Sequence, residues 1–72
     1  MVRSGEIYRH FKGTVYEVMA VGRHSETLEQ YVVYRALSGD GEVWIRPLAM
    51  FTEQIPQGDT LAPRFQKITP ER

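Results

Sequence analysis

The chain predicts a small all-β domain, and three observations carry that expectation. Two apolar runs, Val15 to Val21 and Tyr31 to Ala36, are rich in β-branched and aromatic residues, the kinds that suit a pleated, largely buried surface. Inside them Tyr16, Val18 and Ala20 alternate with Val15, Glu17, Met19 and Val21, while Val32, Tyr34 and Ala36 alternate with Tyr31, Val33 and Arg35. Turn-forming residues punctuate the apolar runs, most strongly at Ser38, Gly39, Asp40 and Gly41. The two runs are read as central antiparallel strands joined by the polar segment Arg23 to Gln30, with His24 and Glu26 at the hairpin tip.

Taken in order, Gly5 to Phe11 alternates with Ile7 and Phe11 on one side and Tyr8 and His10 on the other, and is read as a first strand. Lys12, Gly13 and Thr14 follow, the glycine supplying the positive φ of a tight hairpin turn. The first two strands are then antiparallel neighbours. After the third strand and its turn, Val43 to Arg46 forms a fourth, closed by Pro47, which has no N–H to give to a ladder. Pro47 to Phe51 suits one turn of helix, proline first and helix formers after, and its apolar residues are expected to plug one end of the sheet. From Glu53 the composition shifts to loop and edge chemistry with Pro56, Gly58, Asp59, Pro63 and Pro70. Arg64 to Ile68 is read as a short final strand anchored by Phe65, and Thr69 to Arg72 as a fraying end.

The expectation is therefore an SH3-like barrel of five antiparallel strands with one short helical turn before the last. It would be a single domain over residues 1–72, with a core in 5–52 and a Pro-rich loop and final strand in 53–72. Closure would remove the exposed edges of so apolar a meander. An open antiparallel sheet that dimerises through one face is the alternative, so the expected state is a monomer or a weak dimer.

The chain has 72 residues and no cysteine, so a thin core must be stabilised by packing and sheet pairing alone. That usage fits the cytoplasm, and neither a signal peptide nor a membrane-spanning run is legible. Nine Lys and Arg balance nine Asp and Glu, which weighs against nucleic-acid binding driven by overall charge. A local basic stripe of Arg9, His10, Lys12, Arg23 and His24 stays open.

Three constellations bear on chemistry. His24 and Glu26, with His10 from a neighbouring strand, have the residue types of a two-imidazole, one-carboxylate metal site. Against it stands a plain hairpin tip in which Ser25 and Thr27 hydroxyls and the Glu26 carboxylate satisfy turn amides. The tip is the reading adopted, with a His24–Glu26 ion pair as a conditional addition to it, and no metal, cofactor or catalytic residue is assigned. Ser25 lacks a nucleophile elbow, and Glu17, Glu26 and Glu29 suit a solvated face. Trp44 and Arg46 share one side of their strand and, with Tyr8, His10 and Tyr34, would make an aromatic groove able to stack a base, a proline or a cation. The competing reading places Trp44 in the core with Arg46 reaching out to Glu17 or Glu29.

Motifs spread along the chain carry a resemblance. They are Tyr8, Arg9, His10, Lys12 and Gly13, then His24 to Thr27, Val32 to Tyr34, Trp44 to Pro47 with Met50 and Phe51, and Pro63 to Phe65. The sequence resembles the small bacterial domain of unknown function numbered 1653, with Ile45 where that family more often has valine. The resemblance implies an SH3-like barrel and supplies no established activity, substrate or partner. It singles out polar head groups that packing alone would not require. The expected ligand-binding residues are accordingly Tyr8, His10, Lys12, His24, Glu26, Tyr34, Trp44 and Arg46. The expected function is a binding module for a peptide segment, a protein or a small polar ligand. An accessory module for RNA or single-stranded DNA is the alternative, and a metal-dependent or His/Glu enzyme a more distant one.

Overall fold

In the computed structural model, which describes residues 1–69, seven strands and one helical turn follow one another. They are β1 (Ile7–His10), β2 (Val15–Arg23), β3 (Gln30–Ala36), β4 (Val43–Pro47), α1 (Leu48–Phe51), β5 (Gln54–Gln57), β6 (Thr60–Pro63) and β7 (Phe65–Lys67). Five strands form one antiparallel sheet in the order β4-β3-β2-β1-β7, and β5 pairs with β6 in a separate two-stranded sheet. Strands, turns and the helical turn fall where the apolar alternation placed them from β1 to α1.

Three expectations change. Among the described residues no ladder joins β4 to β7, so the sheet is not closed and both strands keep an open edge. The stretch read as loop contains the β5–β6 hairpin, turned by Gly58 at φ 64° and Asp59. Thr69 does not fray: its hydroxyl accepts from the Ile7 N–H and donates to the Ile7 carbonyl. Residues 70–72, the rest of the expected fraying end, lie outside the described residues.

The face of β2 that meets the core changes along its length. Tyr16 and Val18 face inward, but the register shifts between Val18 and Ala20, and beyond this bulge Val21 faces inward while Ala20 is exposed. A bulge adds one residue and so exchanges the two faces of the strand. The Met19 carbonyl accepts the Ser4 hydroxyl at 2.9 Å, which gives the irregular position a partner.

Aromatic rings make the core. Val2, Tyr8, Val18, Val32, Tyr34, Phe51 and Phe65 are buried, and no polar or charged residue among the described ones is. Phe51 from α1 stacks on Phe65 from β7 at 4.0 Å, Tyr34 meets both edge-on at 5.3 and 5.5 Å, and Tyr8 meets Phe51 edge-on at 5.1 Å. Such ring pairs add about 0.5–1.5 kcal/mol each beyond area burial. The helical turn thus fills one end of the sheet as expected, chiefly through Phe51. No helix among the described residues is long and apolar enough to cross a membrane.

Candidate functional site: a cationic, aromatic pocket

On the concave side, where the two open edges curl toward each other, lies a cavity of about 380 Å³. Its floor and walls are Tyr16, Tyr34, Phe65 and Trp44, and its polar groups come from His10, Lys12, Arg46 and Arg64. Strand alternation explains the gathering. Tyr34 stands opposite Trp44 and Val32 opposite Arg46 in the β3–β4 ladder, so Trp44 and Arg46 share the face that β3 turns to the core. His10 stands opposite Phe65 across β1 and β7, and Gly13, at φ 112°, returns the chain so that Lys12 and Thr14 reach the rim.

Arg46 is the best-defined polar group. Its Nε–H donates to the Tyr34 hydroxyl at 3.2 Å, and its guanidinium carbon lies 5.4 Å from the centre of the Phe65 ring. The pairing with Glu17 or Glu29 that the competing reading gave it is absent among the described residues. Glu17 is taken by Arg35 at 2.8 Å, and the other ion pairs among the described residues are Arg64–Glu53 and Lys67–Glu6. Arg46 and Lys12 therefore have no carboxylate partner among the described residues. The Arg64 Nε atom is buried with no acceptor. Trp44 is 47% exposed, which removes the reading of it as the largest core residue.

His10 lies between Phe11, whose ring is tilted against it at 4.5 Å, and Phe65, which it meets edge-on at 4.8 Å, and its Nδ1 accepts the Lys12 backbone N–H at 3.2 Å. Burial holds its pKa below the ordinary histidine value, and the charges of Arg46, Arg64 and Lys12 push it the same way. The pocket therefore presents two cations without a carboxylate partner among the described residues, an imidazole whose protonation burial and those cations disfavour, and a half-exposed indole.

Of the eight residues expected to form one site, His10, Lys12, Tyr34, Trp44 and Arg46 come together and three do not. Tyr8 is a core residue whose hydroxyl donates to Glu6 Oε1 at 3.0 Å. His24 and Glu26 sit at the opposite end of the sheet, because successive turns of a meander alternate ends and the nine residues of β2 span about 30 Å. There His24 lines a separate apolar depression with Tyr31, Val33 and Ile45. Its Nδ1 accepts the backbone N–H groups of Glu26 and Thr27 at 3.1 and 3.3 Å, and the ion pairs among the described residues do not include His24–Glu26. Among the described residues no three His, Cys, Asp or Glu side chains are close enough to hold a metal ion, so the His10, His24 and Glu26 set is not assembled. Sequence reasoning missed Phe11, Thr14, Tyr16, Arg64 and Phe65 as pocket residues. Tyr16 was findable, since it shares a face with Tyr34 across the β2–β3 ladder.

The family model described as "Protein of unknown function (DUF1653)" matches residues 6–67. The crystal structure of a DUF1653 protein from Bordetella bronchiseptica is similar, with a TM-score of 0.77 and 35% sequence identity, covering 97% of this chain and 95% of that one. A comparison with curated proteins found no match. The resemblance to this family is thereby met, and the chain belongs to the DUF1653 family of proteins of unknown function.

Proposed function

We propose that this domain is a binding module whose concave aromatic and cationic pocket recognises a small polar ligand or a peptide segment through an anionic group. Arg46 carries the reading. It is partly buried, oriented by Tyr34, set over Phe65, and without a carboxylate partner among the described residues. A guanidinium in that situation leaves fork donors for an incoming carboxylate or other planar anion, a geometry that arginine meets bidentately. Trp44, half-exposed beside it, offers an amphipathic ring of the kind that anchors ligands. The open sheet is, in this reading, an SH3-like barrel short of one ladder. Its support is the curl that brings Arg46 of β4 over Phe65 of β7.

A fragment screen by NMR tests the proposal. Anionic fragments are expected to shift the Trp44 indole and Arg46 Nε–H signals together, and shifts scattered over the surface sink it. Accessory binding of RNA or single-stranded DNA is the second reading. It is favoured by the exposed indole beside Lys12 and Arg46 and disfavoured by the zero net charge. Failure to retain a single-stranded oligonucleotide even at low ionic strength ends it.

A further inference from the structure

The open edge of β4 runs along the rim of the pocket, and its hydrogen-bonding groups can be assigned. The Ala36 N–H donates to the Glu42 carbonyl at 3.0 Å, which marks that pair as hydrogen-bonded in the β3–β4 ladder. Antiparallel pairing alternates, so Trp44 and Arg46 bond inward to Tyr34 and Val32, while Val43 and Ile45 turn their N–H and C=O groups away from the sheet. Pro47 continues that alternation at an outward position, where its missing N–H breaks no ladder bond. The stretch Val43 to Arg46 has no bulge and no lysine to blunt it, and Val43 and Ile45 are more than half exposed.

We propose that the occupant of the pocket is an extended acidic peptide segment that adds as a strand to the β4 edge, placing an Asp or Glu side chain against Arg46 and Lys12. The inference rests on the binding-module reading and names the partner for it. Two observations on the same strand converge. The outward backbone groups of Val43 and Ile45 supply main-chain affinity without regard to sequence, and the inward side chains of Trp44 and Arg46 supply selection. A strand laid beside β4 turns every second side chain toward the concave face, next to Trp44 and Arg46. Charge sets the residue type: Lys12 and Arg46 lack a carboxylate partner among the described residues, while Arg64 is already neutralised by Glu53.

The test uses the isotope-labelled chain and a short synthetic peptide alternating Glu with Val. Three comparison probes accompany it: the same peptide N-methylated at alternate residues, its Lys-for-Glu counterpart, and an oligothymidine. The proposal expects the acidic peptide to shift the Trp44 indole and to slow amide exchange at Val43 and Ile45. The N-methylated and lysine peptides should bind about tenfold more weakly or worse, a difference of about 1.4 kcal/mol. I45P, which removes an outward N–H and no ladder bond, should weaken the peptide while leaving Trp44 responsive to a small dicarboxylate. If the N-methylated peptide binds as well as the parent with Val43 and Ile45 unprotected, strand addition is wrong and the pocket reading stands. If neither acidic peptide nor dicarboxylate moves Trp44, both fail. An oligothymidine that moves Trp44 when the acidic peptide does not replaces the peptide with a nucleic acid.

Discussion

The Arg46 Nε–H donates to the hydroxyl of Tyr34 at 3.2 Å. Tyr34 is a buried ring of the core and Arg46 a cation of the pocket, so this one bond ties the packing of the sheet to the charge its concave face presents. Replacing Tyr34 by Phe keeps the ring contacts and removes the acceptor. A loss of about 0.5–1.5 kcal/mol is expected, or about 4–8 °C in Tm per kcal/mol for a domain of this size. Thermal unfolding gives the first quantity, and loss of a protected Arg46 Nε–H signal in NMR gives the second check. An unchanged Arg46 signal would mean that Tyr34 does not hold it.

Phe51 is 1% exposed and stacks on Phe65, although it comes from a helical turn of only four residues. Phe51→Ala should cost about 3–5 kcal/mol, against a total of roughly 4–11 kcal/mol for a chain this long. Urea unfolding should show a transition displaced almost to the start of the curve. A shift under about 1 kcal/mol would mean that the turn decorates the core and does not complete it.

Acid should destabilise the fold in two stages. The folded pKa of His10 is held below the ordinary 6.5, first by burial and then by Arg46, Arg64 and Lys12, so the unfolded chain takes up this proton first. Its contribution to stability is whole above 6.5 and is lost as the pH falls from there toward the folded value. Glu6 acts lower. Burial pushes its carboxyl up, but bonds from the Arg3 amide, Lys67 and Tyr8 outweigh burial and hold it below 4.5. That contribution fades as the pH drops beneath 4.5 through the folded value. Denaturant midpoints measured across pH should show both declines, with the upper one missing in His10→Phe. Parallel curves for the two proteins would refute the assignment.

Leu28 adopts a left-handed backbone at φ 66° while 63% exposed. For a side chain with a Cβ this conformation costs about 1–2 kcal/mol, and there is little burial to offset it. Arg23 Nη1 donates to the Leu28 carbonyl at 2.9 Å and helps to hold the turn. Leu28→Gly should therefore leave stability unchanged or raise it by up to about 1 kcal/mol, the gain tempered by glycine's greater unfolded freedom. A clear loss in thermal unfolding would show that the leucine side chain has a packing role.

How much of this was legible depended on the kind of rule each element obeys. β1 to β4 follow two-residue alternation, apart from the bulge in β2, with glycine turns after β1 and β3, a polar turn after β2 and Pro47 at the end of β4, and those signals are local. The bulge at Met19 has no mark in residue type, so Ala20 was read as sharing a face with Tyr16 and Val18, where the structure puts Val21. Gly58 and Asp59 are a sound two-residue turn signal, but Pro56 and Pro63 outweighed it, although edge strands tolerate proline. Within the pocket, Tyr34, Trp44 and Arg46 follow from strand parity. His24 and Glu26 were grouped with them by residue type alone, where counting turns along the meander puts them at the other end. Closure could not be read at all, since it depends on sheet curl and the reach of the last strand.

The account stands on Trp44 and Arg46 acting as one binding surface, and the single tryptophan makes its own fluorescence the direct readout. Titrating the acidic Glu/Val peptide into the chain should change that emission saturably, with an affinity that drops about tenfold or more in Arg46→Gln and weakens with added salt. Equal affinity in the two proteins, or no change in emission at any concentration, would contradict it.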